Sequence, residues 1–308
     1  MMSDGSLFVS PFHLLEVLAM RRSVFALQSV ALLLAVQLAG PAATTAQDAT
    51  PTASLEPGFV SLFDGSEESF AAWRSTGTGT FDLVDGVIVT GSDSNELGDL
   101  SLLYYAPRTF DNFILRLQFR VSDPADNSGV LVRFRDPSQP IPAADLTAPD
   151  AAEMYPSRDM YAEDSFWIAF DTGFEVQIED AAIGNPFDDS DDGQDQHRTA
   201  AIYDIPTGTG LGEQDYQRGQ DLVPGVWNDL EIEVVGDTYT VRLNGQQTTT
   251  FTNPEPRRGQ SPREDPLFGY IGVETNPFNP GHVDFRAIRI QELPASDPAV
   301  ATPASSTS

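Results

Sequence analysis

The chain has 308 residues, no cysteine, and a formal net charge of −29 at pH 7, and all 17 of its basic residues are arginines. A surface this acidic repels nucleic acid and anionic membranes, so it disfavours both as partners and leaves cations and neutral ligands. The lack of cysteine excludes disulfides and a lipoprotein anchor.

The N-terminal region, residues 1–46, predicts an upstream extension followed by a secretory signal peptide. Two arginines at 21–22 precede an apolar run that ends near Gly40, and small residues follow around Thr44 to Ala46. The run is short for a membrane span of about 20 residues, so an uncleaved segment is the alternative and the one membrane contact we expect. Residues 47–56 predict a linker and 294–308 a disordered tail rich in Ala, Pro, Ser and Thr. We expect an exported protein, extracellular or periplasmic.

Residues 57–293 predict one all-β domain. Short apolar–polar alternations bounded by turn residues recur in chain order, from "GFVSLFDG" at 58–65 to "VDFRAIRIQEL" at 283–293. Such runs are typical of strands with one face on a core, and many of them without alternating helices predict a sandwich of two antiparallel sheets. Two long polar stretches, 137–171 and 182–198, interrupt the pattern. Loops of that length are typically either binding loops or disordered, and their place on either side of one strand favours binding.

Between those loops lies the strand "TGFEVQIED", residues 172–180. Its apolar residues alternate with two acids and an amide, which lie on the opposite face: Glu175, Gln177 and Glu179. A solvated strand face usually carries other residue types. The composition therefore predicts that this face lines a site.

The order of these segments resembles a known family. "GFVSLFDGSEESFAAW", "FDLVDGVIV", "FILRLQFRV", "NSGVLVRF", "GFEVQIED", "HRTAAIYDI", "PGVWNDLEIEV", "VRLNGQ" and "GYIGVETN…VDFRAIRIQEL" are similar, in this order, to the 3-keto-disaccharide hydrolase family. The resemblance implies a concanavalin A-like jelly roll whose concave sheet forms a sugar groove. It also implies hydrolysis of 3-keto-glycosides by removal of the C2 proton, elimination of the C1 substituent and hydration.

That chemistry needs a base poised near neutral pH and an electrophile beside the keto oxygen. Glu175 is the first candidate for the base, or for a ligand of an electrophilic metal, and His197 is the second. Arg133 is expected to face the groove, hold a keto oxygen or pair with Glu175. Other expected substrate contacts are Gln177, Glu179, Tyr203, Trp167 as a stacking platform, Glu274 and Asn276.

Metal binding is a further expectation. "DDSDDG" at 188–193 has the spacing of a calcium loop, with Asp188 and Asp192 as ligands, although the glutamate expected at the twelfth position is absent. The cofactor is thus a divalent metal, calcium or another, or none.

Two alternatives to the 3-keto enzyme stay open. One is a non-catalytic lectin-like module that binds carbohydrate. The other is a conventional glucanase-like hydrolase. Glu175 and Glu179 would lie about 13 Å apart along an extended strand, which is farther than the two carboxyls of such enzymes and disfavours this alternative.

Overall fold

The computed structural model describes residues 55–91, 100–183, 193–276 and 282–295. The signal-peptide region, Asp188, Asp192 and most of the predicted tail lie outside these ranges. The described strands are β1 Val60–Phe63, β2 Trp73–Thr76, β3 Thr80–Val84, β4 Val87–Gly91, β5 Ser101–Tyr105, β6 Phe113–Val121, β7 Ser128–Phe134, β8 Phe174–Ile178, β9 Gln214–Tyr216, β10 Asn228–Val235, β11 Thr238–Leu243, β12 Gln246–Thr252, β13 Tyr270–Thr275 and β14 Val283–Glu292.

The strands form two antiparallel sheets. The larger sheet has nine strands in the order β3-β4-β14-β6-β10-β11-β12-β9, with β1 paired to β14. Its central strand β6, "FILRLQFRV", alternates between buried and half-buried residues along its whole length, as the period-two pattern predicts. The buried set, from Phe113 to Val121, faces the smaller sheet and forms part of the main core. Apolar burial of this kind contributes about 25 cal/mol per Å².

The smaller sheet has the order β2-β5-β13-β7-β8, and its outer face, turned away from the larger sheet, carries the candidate site. Opposed residues of neighbouring strands share a face, so the register defines rows across the sheet. One row is Arg74, Tyr104, Gly272, Leu131 and Glu175, and another is Thr76, Leu102 and Glu274.

The predicted loop 137–171 folds back onto this outer face. It contains the short helices α2 Ala143–Leu146, α3 Ala151–Met154 and α4 Phe166–Thr172, and a 3₁₀ turn at Arg158–Met160; α1, Glu67–Phe70, precedes it in the chain. In α4, Phe166 and Ala169 pack on Leu102 and Leu131 in a second apolar cluster. The centre of the outer face is therefore filled by this helix.

Asp171 ties the insertion together from the last turn of α4. Its carboxylate accepts from the backbone and hydroxyl of Ser157 at 2.9 Å each and from the Tyr161 hydroxyl at 2.7 Å. Within the described part of the chain, no helix has the length and apolar character needed to cross a membrane.

Candidate functional site

Strand β8 divides its side chains between the two faces as the alternation predicts. Phe174, Val176 and Ile178 join the core between the sheets. The other face carries Glu175, Gln177 and Glu179, which are only 6%, 1% and 0% exposed. The polar face thus lines an enclosed site, and the open groove expected from the sequence is not what the structure shows here.

The segment 199–203 runs antiparallel beside β8 and extends the smaller sheet at that edge. Tyr203 N donates to Glu175 O, Gln177 N to Ala201 O, and Ala200 N to Gln177 O, at 2.8–2.9 Å. The buried Gln214 holds this segment, because its side chain accepts from Ile202 N and donates to the carbonyls of Ile202 and Ile205. The segment brings His197 and Tyr203 to the acidic face.

Glu175 and Glu274 form a hydrogen-bonded carboxyl pair across strand β7. Gly129 makes this contact possible. A Cβ atom at Gly129 would lie 2.1 Å from Glu175 Oε1 and 2.6 Å from its Cγ, so the Glu175 side chain occupies the space left by the missing side chain. Only glycine leaves that passage open between the two glutamates.

Burial raises the pKa of both carboxyls. The pKa of Glu175 stands well above its ordinary value because of desolvation and then the neighbouring Glu274 charge, while Arg258 and His197 oppose the rise. Desolvation raises the pKa of Glu274 to about 7, against the hydrogen bonds from Glu175 and Asn276. The two carboxyls titrate as a coupled pair, and their shared burial favours the protonated form.

Arg258 is an arginine whose charge lowers the pKa of Glu175, and the sequence did not identify it. Its Nε donates to Gly173 O at 2.8 Å and its guanidinium lies 4.6 Å from the centre of the Phe174 ring. Desolvation lowers its pKa, and Asp171, Asp204 and Glu175 are among the groups that oppose this. It comes from the loop "PEPRRGQ", where no periodicity or motif marks one arginine over its neighbour.

His197 and Tyr203 lie on the same side of the pair. Their rings are 5.1 Å apart, His197 is fully buried, and its Nε2 is 3.9 Å from Asp204 Oδ1. The charge of His197 opposes the rise of the Glu175 pKa, which relates the two predicted catalytic residues electrostatically. Tyr203 packs against His197, and Asn276 hydrogen-bonds Glu274.

Trp167 packs on α4 against Phe166 and Phe170, with ring centres 5.3 and 5.6 Å apart. Phe170 in turn lies 6.1 Å from Tyr203. Trp167 is half-buried among these aromatic rings, and Phe170 connects it to Tyr203.

The expectation for Arg133 is wrong. Its guanidinium donates to the backbone carbonyls of Asp111, Gly236 and Gly259, away from Glu175. The reason is a left-handed backbone at Arg133, with φ of 55°, beside an irregularity in the pairing of β7 with β13. Alternation breaks there, and Phe134 joins the outer cluster with α4 where the period predicts a core position.

No metal centre is formed by the residues that the structure describes: within them, no three His, Asp or Glu side chains are arranged to hold an ion. The predicted ligands Asp188 and Asp192 lie outside the described ranges.

The sequence matches a family described as the 3-keto-alpha-glucoside-1,2-lyase-like domain over residues 58–291. No curated protein matches the chain. A proposed glycosyl hydrolase from Parabacteroides distasonis ATCC 8503 is similar in structure, with 17% identity, a TM-score of 0.50, and coverage of 77% of this chain and 94% of its own.

Two further structures are similar at lower TM-scores. A second proposed glycosyl hydrolase from the same organism is 21% identical, with a TM-score of 0.47 and coverage of 76% and 99%. A carbohydrate-binding module from Bacillus subtilis is 12% identical, with a TM-score of 0.38 and coverage of 72% and 96%. The matched family model and the sandwich of two antiparallel sheets confirm the predicted family and jelly-roll class.

Proposed function

Because the chain belongs to the 3-keto-alpha-glucoside-1,2-lyase-like domain family, we propose that it cleaves 3-keto-glycosides by elimination at C1–C2, followed by hydration. A ketone at C3 acidifies the C2 proton, so the reaction needs one group that accepts a proton and another that supplies one to the leaving oxygen. The hydrogen-bonded Glu175–Glu274 pair carries the proposal, because it offers one of each at neutral pH.

In the proposed reaction, the Glu274 carboxylate removes the proton from C2. The C2–H electron pair forms the C1=C2 double bond, the bond from C1 to the glycosidic oxygen breaks, and Glu175 gives its proton to that oxygen. Glu274 has then gained one proton and Glu175 has lost one. Transfer of the new proton from Glu274 to Glu175 restores the starting protonation of the pair. Water then adds across the double bond, with hydroxyl to C1 and a proton to C2.

Negative charge develops on the C3 oxygen as the C2 proton leaves, and it requires a cation or hydrogen-bond donors. Arg258 supports this role, since its charge already acts on Glu175. His197 is the second candidate. The carboxyls have almost no solvent-exposed surface, so substrate entry requires a covering segment to move aside, and closure then strengthens every charge interaction within the site.

A divalent metal would supply an electrophile for the same oxygen. The described side chains do not fit a divalent metal ion, because no three carboxylate or imidazole groups among them are arranged to hold one. Glu175 and Glu274 are hydrogen-bonded to each other. We therefore derive no step through a metal.

A conventional glycosidase fits the pair less well. Retaining enzymes hold their two carboxyls about 5–5.5 Å apart and inverting ones farther, whereas a hydrogen-bonded pair is closer than either. A lectin-like module is the competing function, since one fold can serve both binding proteins and enzymes.

The test separates the two proposed steps. The purified full chain is incubated in D₂O with a 3-keto analogue that carries hydrogen in place of the leaving group at C1, and deuterium entry at C2 is followed by NMR. A 3-keto-glucoside then reports release of the leaving group, with and without added divalent metal. Glu274→Gln is expected to slow both reactions by about 100-fold or more, the usual contribution of a positioned acid or base.

Glu175→Gln is expected to retain exchange at C2 and lose release at C1. Glu68→Gln, at an exposed position on α1, is the matched control and retains both. Deuterium exchange that is absent in the wild-type protein, or unchanged in Glu274→Gln, refutes the proposal; saccharide binding without exchange establishes the lectin-like function.

A further inference from the structure

A cavity lies on the outer face of the smaller sheet, at the opposite edge from Glu175. It has a volume of about 360 Å³ and is bounded by β2, the turn that follows β2, and the insertion 137–171. This volume is within the range of small-molecule sites. The mouth of the cavity is formed by the exposed residues Ser75, Thr78, Ser138 and Glu163. Its deeper part is formed by half-buried or buried residues, namely Thr76, Tyr104, Asp164 and Ser165.

Hydrogen bonds between distant chain segments hold the cavity open. Thr76 Oγ1 lies within hydrogen-bond distance of Ser165 Oγ and Asp164 Oδ1. Asp164 Oδ1 also accepts from Phe166 N at 2.8 Å, which fixes the insertion where α4 begins. The walls are thus pre-formed, which spares a ligand the cost of ordering them.

The chemistry of the lining selects the ligand. Five lining side chains carry an aliphatic hydroxyl and two carry a carboxyl, and among the described residues that line the cavity none is basic. Burial raises the pKa of the Tyr104 phenol, which stays a neutral donor beneath this ring of acceptors. Arg74, which hydrogen-bonds the Tyr104 phenol from outside the lining, offsets part of the negative charge, and a neutral molecule with many hydroxyls finds both donors and acceptors.

The register relates the cavity to the carboxyl pair. Thr76 and Glu274 lie in one row, each opposite Leu102. Two strand spacings place their backbones about 10 Å apart. Leu102 is fully buried under the apolar cluster of α4, so the two sites are separate compartments on one face.

We propose that this cavity is a second saccharide site, which holds a neutral, polyhydroxylated ring beside the site of reaction. The class of ligand rests on the proposed function, but the site itself rests on the cavity, its hydroxyl lining and its place in the row. The insertion 137–171 would then set saccharide preference through contacts that do not take part in proton transfer.

The experiment measures binding of unoxidised disaccharides, trehalose and maltose, to the full chain by calorimetry and saturation-transfer NMR. Neither probe has the C3 ketone, so binding is read without turnover. Ser138→Trp fills the mouth and is expected to weaken binding by about tenfold or more. Gln139→Trp, at the adjacent exposed position outside the lining, is the matched control and is expected to bind as the wild-type chain does.

Three results would overturn the proposal: no saturable binding of either sugar, binding that survives Ser138→Trp and disappears in Glu274→Gln, or calcium binding that displaces the sugar. Failure of the C2 exchange with sugar binding intact would instead refute the proposed reaction and leave the second site standing.

Discussion

The raised pKa of Glu274 makes the stability of the fold depend on pH in a defined direction. An unfolded glutamate ionises near its ordinary pKa of 4.5, and the buried one near 7. The native state therefore binds the proton more tightly than the unfolded state does. The contribution of this proton is fully present below pH 4.5 and is lost as pH rises through 7.

The magnitude follows from the two pKa values. The difference between 4.5 and about 7, at about 1.4 kcal/mol per pKa unit, makes the folded state about 3 kcal/mol less stable at neutral pH than at pH 4.5. Glu274→Gln removes the ionisation. Its free energy of unfolding, relative to that of the wild-type chain, should therefore rise by about 3 kcal/mol over the same range and then level off.

The measurement is urea unfolding followed by circular dichroism, at several pH values between about 4.5 and 8, for the wild-type chain and Glu274→Gln. The difference between the two curves cancels carboxyls that titrate independently elsewhere, and it reports Glu274 together with the change that its removal makes in the coupled Glu175. Glu68→Gln, at an exposed position, should run parallel to the wild-type curve. Parallel curves for Glu274→Gln as well would show that Glu274 ionises normally, and the acid–base assignment of the pair would then be wrong.

Three further outcomes follow from the same geometry. Gly129→Ala should displace the Glu175 side chain, cost about 1–3 kcal/mol of stability by overpacking, and reduce turnover; a normal rate would mean that the pair does not need this passage. Asp171→Ala should leave the Tyr161 hydroxyl and its neighbours without their acceptor at a cost of about 1–3 kcal/mol, seen as faster limited proteolysis within 137–171, and unchanged cleavage would count against that anchor. Gln214→Leu should release the segment 199–203, lowering the melting temperature and raising hydrogen exchange at its amides, and full amide protection in this variant would contradict the role assigned to Gln214.

The sequence by itself determined which face the residues of the regular strands take. Side-chain direction in a strand follows from local backbone geometry, so the alternation around Glu175 and along β6 could be read directly. The ordered motifs also identified the family and hence the jelly roll. His197 and Glu274 were found in the same way, through the motifs that contain them.

Only the tertiary structure decided which of these residues contact one another and how their pKa values are shifted. The Glu175–Glu274 pair exists because the sheet order places β13 beside β7, and because Gly129 leaves a passage between them. Arg258 reaches the site from a loop without a pattern, and Arg133 leaves its expected face through one left-handed residue. Burial of the acids, and with it their raised pKa values, depends on the insertion 137–171 folding over the sheet and on the segment 199–203 pairing with its edge. Such long-range packing has no local signature, since it is fixed by contacts between residues far apart in the chain.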